Sequence, residues 1–392
     1  MSATEPGYPL AGLKVLDFSR VLAGPFAGRM LSDLGADVVK VEPPDGDVTR
    51  LWGKMTGGIP GYFHQQNAGK RNISLDLRAP GARDLVFALA AKADIVIENY
   101  RPDVMPRLGL GYADLAKINP RLVMLSISGF GHDGPESRRP AYAPIIHAEA
   151  GLMDRAIRRG GGGRGDLPLS VADTNASLHG LVGLLAAIIM RERTGRGQHI
   201  DIAMIDATIA TDDQIHYELE DAEHTMGLPN DTWETGIGPI LISADFRWLW
   251  RLLSTKGGLA EPATPDMDLD AKIAARRAAA TAFMAGLATW DEVDAALDRI
   301  NVAWGRVRTG ATLRDQPTVA HRGAIVDVDD RAGGVRPTTQ SPYRFSGAKS
   351  GVRGPSAHRG EHNGDVLGEW LGMSGGAVAA LEGAGVLGCE QA

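Results

Sequence analysis

The sequence predicts an α/β protein on a parallel sheet, and three observations predict it. Short apolar runs of strand length alternate with longer segments of helical spacing through residues 13–131, the pattern of a sheet with helices on both faces. At 392 residues the chain is long enough for two or three domains. A composition of 44% hydrophobic and 23% charged residues is that of an ordinary globular chain.

Each element follows from its local pattern. "LKVLDFS" (13–19) is apolar enough for a buried strand, and "AGPFAGRMLSDLGA" (23–36) has helical spacing. "DVVKVEPP" (37–44) returns to strand and stops at Pro43-Pro44. A helix is expected at 79–93, with strands at "DIVIENY" (94–100) and "LVMLSISGFG" (122–131). "RRGGGGRGD" (158–166) has no Lys-Ser/Thr after it and reads as a flexible connector. Leu167–Ala172 reads as a strand end and Leu178–Met190 as a buried helix. After the turn "RTGRGQ" (193–198), "HIDIAMIDA" (199–207) alternates as a half-buried strand would. An acidic connector spans about 213–235, and "PILISADFRWLWRLLST" (239–255) is strand-like. Helices are expected near 270–286, 290–299 and 364–373, with a turn at "DRAGG" (330–334).

The bulk numbers exclude several classes. A net charge of -7 gives no basic footprint for nucleic acid or an anionic membrane. The one cysteine, Cys389, allows no intrachain disulfide and suits a reducing cytoplasm. The start, "MSATEPGYPL", lacks the pattern of a signal peptide, and the apolar run to Met190 is too short to cross a bilayer. Metal-site spacings, a G-x-S-x-G elbow and a G-x-G-x-x-G turn are all missing. No metal, nicotinamide or flavin is therefore expected.

Sites in such sheets gather at the carboxyl ends of strands, which points to residues just after 19, 44, 100, 131 and 172. The turn after the first strand offers the backbone N–H groups of Val21, Leu22 and Ala23 to an anion at a helix start. Asp173, in "LPLSVADTNASLHG" (167–180), has two readings. It, Thr174 or Asn175 is the N-cap of a helix beginning near Ala176, or it is a nucleophile poised at that helix start, held ionised by the dipole.

Several long motifs share one resemblance. "LAGLKVLDFSRVLAGPFAGRMLSDLGADVVKVEPPDGD" (10–47), "NAGKRNISLDLR" (67–78), "ADIVIENYRPDVMPRLGLGY" (93–112) and "SGFGHDGP" (128–135) resemble the family III CoA-transferases. So do "VADTNASLHGLVGLLAAIIMRERTGRGQHIDIAMIDA" (171–207) and "RGEHNGDVL" (359–367). The group includes formyl-CoA transferase and the carnitine CoA-transferases, and the match is weaker from about 210 to 335.

The resemblance implies that Asp173 attacks an acyl-CoA thioester, giving a mixed anhydride and then an aspartyl-CoA thioester, from which an acceptor carboxylic acid takes CoA. It assigns Arg107 to CoA contact, with Asn99, Tyr100 and Val104 beside it, Leu75 and Arg78 near the adenosine end, Met204 as a further contact, and Tyr142 at the site. From the residues alone, Arg107 has a lesser second reading as a solvated helix charge, while Leu75 and Met204 read equally as core. It further implies a Rossmann-like large domain made from both chain ends (1–212 and 331–392), a linker (213–235), a smaller α+β domain (236–330) and an interlocked homodimer. Four departures mark this chain. Leu22 replaces a glutamine, Ala143 a usually acidic residue and Pro43 an arginine, and the small-domain glycine loop is reduced to "TGIGP" (235–239).

Two other functions fit parts of the pattern. The related α-methylacyl-CoA racemases pair the aspartate with a histidine; here that position is Tyr142, and His147 lies five residues on. A non-catalytic acyl-CoA binding protein would keep Arg107 and the first turn without needing Asp173.

Overall fold

Six parallel strands and one antiparallel edge strand form the main sheet. The structure, a computed structural model, describes residues 7–160, 165–222 and 229–390. Residues 1–6, 161–164 of the glycine-rich stretch and 223–228 of the acidic connector lie outside the described residues. By its contacts the chain divides into two units, one running to Asp213 and resuming at His321, the other Gln214–Ala320.

In the larger unit the strands lie in the order Leu387–Gly388, Arg71–Leu75, Asp37–Glu42, Lys14–Asp17, Ile95–Glu98, Val123–Ser128, His199–Ala203. All neighbours run parallel except the first pair. Counted along the chain, the parallel strands are ordered 3-2-1-4-5-6, the order of doubly wound nucleotide-binding sheets. The order reverses between Lys14–Asp17 and Ile95–Glu98, and a crevice opens there beyond the carboxyl ends.

Period-two alternation sends successive strand residues to opposite faces. Leu16, Val39, Val96 and Met124 pack on one side against the helices Ala82–Ala90 and Asn363–Leu371. Val15, Val38, Ile95, Val123 and Leu125 pack on the other against Ala23–Asp33 and Val171–Thr194. Both faces are covered, so the strands read as near-continuous apolar runs. Gly28 lets the first helix pass close to the sheet: a Cβ there would lie 2.6 Å from the Asp17 carboxylate and 3.1 Å from Lys70 Nζ. Those two groups form a fully buried ion pair at 2.8 Å.

Several expectations needed correction. Leu167–Ala172 is not a strand end. Residues up to Ser170 are irregular with Leu169 exposed, and Val171 already begins the helix Val171–Thr194. The expected strand 199–207 ends at Ala203, where Met204–Thr211 turns helical. The expected strand 239–255 is the strand Gly238–Ser243 followed by the helix Phe246–Thr255, which Asp245 caps through its side chain. Strand Arg71–Leu75 escaped notice because Asn72 and Ser74 are polar. They are buried all the same, Asn72 donating to Glu42 at 2.6 Å and accepting the Gly360 N–H at 2.7 Å.

In the smaller unit, Asn230–Thr235, Gly238–Ser243 and Trp304–Arg306 form an antiparallel sheet packed on Leu269–Ala285 and Trp290–Ile300. The first of these strands and the helix Ile215–Leu219 fall within the expected linker. Only Trp233 is buried in that strand, so its sequence looks like a connector. "TGIGP" is a hairpin turn pairing Thr235 with Gly238. The helix Val171–Thr194, 24 residues with a mean hydropathy of 1.3, is long and apolar enough on composition to cross a membrane. Here one face of it lines the core through Ala172, Ala176, Leu181, Leu184 and Ala187.

Candidate active site

The crevice at the strand-order reversal holds two adjoining compartments of about 690 and 700 Å³. They share Arg20, Arg78, Tyr100, Val104 and Arg107, so one cleft runs between them. The outer compartment reaches Leu75, Asp76 and the Pro43–Asp45 turn; the inner one ends at Asp173 and Met204.

Asp173 is the third residue of its helix, so it is not an N-cap; Ser170 occupies that position. Its carboxylate accepts the backbone N–H groups of Ala23 and Ala143, each the first residue of a helix, Ala23–Asp33 and Ala143–Glu149. Three helix N-termini thus converge on one carboxylate. First-turn amides have no partner within their own helix, and helix starts carry partial positive charge. Burial pushes the Asp173 carboxyl up to about 6, against the pull of those two N–H groups. It is still roughly nine-tenths ionised at pH 7. Ser177, one turn on, places its hydroxyl between the carbonyls of Ala23 and Asp173 (2.8 Å to the latter), tying the long helix to the first.

The turn after the first strand is held by side chains from elsewhere. Val21 sits at φ 68°, a left-handed conformation that β-branched residues avoid. Its N–H donates to the Asp47 carboxylate at 3.2 Å, so that amide is committed to the protein rather than open to a ligand. Asp47 in turn pairs with buried Lys40 at 3.2 Å and accepts the Thr49 N–H. Across the crevice Asn99 brackets Arg20, accepting its N–H at 2.7 Å and donating to its carbonyl at 2.8 Å. Leu22 alone among the expected residues does not line the cleft; its side chain packs inward.

All the others do. Leu75 borders only the outer compartment, Val21, Ala23, Asn99, Tyr142, Asp173 and Met204 only the inner, and Arg78, Tyr100, Val104 and Arg107 both. Arg107 is two-thirds exposed and pairs with Asp103 at 3.2 Å. Burial raises the Tyr100 hydroxyl to about 12, so it stays protonated.

Sequence reasoning missed several contributors. Arg20, Arg101 and Arg139 line the inner compartment. Arg139 is held by Glu136 and Glu149, whereas Arg20, Arg78 and Arg101 make no salt bridge among the described residues. Tyr62, pushed up to about 12 by burial and by the nearby charges of Asp173 and Asp47, stands close to Asp173. The Ala143 amide contributes through its backbone, which residue type does not advertise. His147 is wholly buried and lines neither compartment.

Fold and site together define an α/β enzyme with an arginine-lined cleft that ends, among the described residues, on the carboxylate of Asp173. The profile of "CoA-transferase family III" matches residues 10–363, and the chain belongs to that family. It is 32% identical over 387 residues to succinate–glutarate CoA-transferase of Agrobacterium fabrum, covering 92% of this chain and 95% of the relative. It is 43% identical over 213 residues to acetyl-CoA:oxalate CoA-transferase of Acetobacter aceti, 53% of each chain. Among solved structures it is similar to a CaiB/BaiF family protein from Brucella suis, with a TM-score of 0.79, 34% identity, and coverage of 93% of this chain and 100% of the other. Rv3272 from Mycobacterium tuberculosis gives a TM-score of 0.73 at 30% identity, covering 92% and 99%.

Proposed function

We propose that the chain moves CoA from an acyl-CoA thioester to a carboxylic acid through covalent intermediates on Asp173. The carboxylate oxygen attacks the thioester carbon and the C–S bond breaks, leaving an anhydride and CoA thiolate. The thiolate attacks the Asp173 carbonyl carbon and releases the donor acid, leaving aspartyl-CoA. The acceptor carboxylate repeats both steps in reverse and frees Asp173. Every step exchanges one anion for another, so none needs a general base. The carrying observation is a half-buried carboxylate at the inner end of the cleft, held by main-chain N–H groups with, among the described residues, no histidine, lysine or second acid lining the compartment around it. The N–H groups of Ala23 and Ala143 would stabilise the oxyanions formed at that carbon.

The same observation weighs against a racemase, which needs a second base. Tyr142 stands at the expected place, and both ring nitrogens of His147 are engaged in the interior. In our reading the large unit is Rossmann-like, the adenosine end of CoA lies by Leu75 and Arg78, and its phosphates face the arginines. The similar enzymes named above act on oxalate, succinate and glutarate, and three arginines without a salt bridge among the described residues suit a second carboxylate. A small dicarboxylic acid is therefore proposed on one side of the exchange. We further propose a cytoplasmic enzyme and a homodimer, the dimer supported by the exposed Leu178, Val182 and Ile189 on one face of the long helix. A sedimentation run giving only monomer would count against the dimer.

The central test is mass spectrometry of the protein mixed with a panel of acyl-CoAs and acids, with hydroxylamine as trap. CoA exchange and a hydroxamate at residue 173 are expected. Exchange that proceeds at full rate in Asp173→Asn would end the proposal.

A further inference from the structure

From the buried hydrogen bonds around the nucleophile we infer that His147 is a positioning residue. It locks the helix start that donates to Asp173 onto the helix start that carries it. The inference rests on the covalent role proposed for Asp173.

His147 lies one turn after Ala143 on Ala143–Glu149 and is fully buried. Its Nε2 accepts the backbone N–H of Ala172 at 3.2 Å, the residue immediately before Asp173. That amide belongs to the first turn of the long helix, where N–H groups lack intrahelical partners. The N-cap residue, Ser170, makes no side-chain cap bond. The imidazole from a neighbouring helix therefore does the capping.

An Nε2 that accepts an amide N–H carries no proton, so the ring proton sits on Nδ1. Nδ1 lies 2.7 Å from Asp166 Oδ1 and donates to it. The second partner fixes both tautomer and ring angle, as an orienting carboxylate does for other functional histidines. The consequence is mechanical: Ala143 N–H and the Asp173 carboxylate keep their separation because one side chain spans the two helices that supply them. An acylation geometry tolerates little drift, since misplacement by about 1 Å can cost about a hundredfold in rate.

The test uses the full chain with succinyl-CoA or acetyl-CoA as donor, whichever labels the wild type faster. It reads the initial rate of hydroxylamine trapping at Asp173 and, separately, the Kd of CoA. His147→Leu is expected to slow trapping about thirtyfold with the CoA Kd within about twofold. His147→Gln, whose amide oxygen can reach the place of Nε2, is expected to recover to within about threefold of the wild type. Asp166→Ala, at a partly exposed carboxylate, is expected to slow trapping about threefold.

An unchanged rate in His147→Leu overturns the inference. So does a Gln variant as slow as the Leu variant, or a Kd that weakens in step with the rate, since either marks mere packing. Asp166→Ala at the wild-type rate overturns it even where the Leu variant does not fold. A wild type that never labels at Asp173 removes the parent reading and this one together. A wild type and a Leu variant that label equally fast remove this one alone.

Discussion

The cleft and its inner end hold negative charge by opposite means. Along the cleft the donors are side-chain cations that border both compartments: Arg78, without a salt bridge among the described residues, and Arg107, exposed beside Asp103. At the inner end the influences on the Asp173 carboxylate are burial and two main-chain N–H groups. Flexible guanidinium groups near water attract a ligand and tolerate its motion, but screening keeps each contact weak. Backbone amides at helix starts are fixed and cannot collapse onto the charge to quench it as an arginine would. A carboxylate paired with arginine would fall below the ordinary range and become a poorer nucleophile; this one is pushed up. Under the proposed function the arginines serve binding and the carboxylate held by main-chain N–H groups serves reaction.

The largest break in that comparison is Asp173→Asn. Under the proposed route it should lower exchange at least about a thousandfold while the CoA Kd moves less than threefold. The same substitution should stabilise the fold at pH 7. A folded-state value near 6, against 3.8 for the ordinary group, means ionisation inside the protein costs on the order of 3 kcal/mol. That cost is absent below the unfolded value near 4 and complete above 6. The Asn variant should therefore gain Tm as pH rises from about 4 to 7, and scanning calorimetry of both proteins at the two pH values reads it. A variant less stable than the wild type at pH 7 would show the carboxylate to be comfortable where it sits.

Asp47→Asn tests whether the inner end is built or incidental. Asp47 holds the strained Val21 and neutralises buried Lys40. Removing its charge should cost about 3 kcal/mol of stability, because a buried pair is broken from one side. It should also lower kcat about tenfold as the turn leading to Ala23 relaxes. Full kcat in a folded Asn variant would make Val21's conformation irrelevant to the chemistry.

A third way in is acidity. Under the proposed route Asp173 must be ionised to attack, so kcat should fall as pH drops through about 6 and be roughly tenfold lower at pH 5 than at pH 7. Tyr62 and Tyr100, both near 12, stay protonated throughout that range and add no limb. A profile flat down to about pH 4.5 would mean the carboxylate is better solvated than its burial implies.

What the sequence could disclose follows the same division. The strands of the sheet centre were legible because helices cover both faces, leaving runs such as Ile95–Ile97 apolar without interruption. Arg71–Leu75 was not, because its polar residues are buried against distant partners: the Asn72 side chain bonds Glu42 and Gly360, and the Ser74 backbone N–H donates to Asn363, 289 positions away in sequence. The outer end of the cleft was largely readable, since arginines announce themselves by type. The inner end was readable in much of its lining, Val21, Ala23, Asn99, Tyr142 and Met204 beside Asp173, but not in all the groups that hold the carboxylate. Asp173 is visible, but its donors are backbone groups, one of them brought from Ala143 by a helix whose own sequence gives no hint of it. His147 looked like a spare histidine for want of any way to see Ala172 above it. Arg20 went unnoticed because a lack of acid neighbours is a property of the fold.

The smallest expected effects lie among the arginines, and their ranking sharpens the contrast best. Arg20 borders both compartments, its Nε is buried without a partner, and its backbone is clamped by Asn99. A ligand anion there meets a desolvated, preorganised donor, and Arg20→Ala should raise KM for acyl-CoA about tenfold. Among the described residues Arg78 makes no salt bridge, and its loss should cost about fivefold. Arg107 already spends part of its charge on Asp103 and is two-thirds exposed, so about threefold is expected. In all three kcat should stay within about twofold, and the wild-type KM should climb with salt more steeply than that of any variant. Steady-state kinetics at low and high ionic strength decide it. If these substitutions lowered kcat and left KM alone, the arginines would be acting on the reacting carbon, and the division between binding arginines and a reacting carboxylate would be lost.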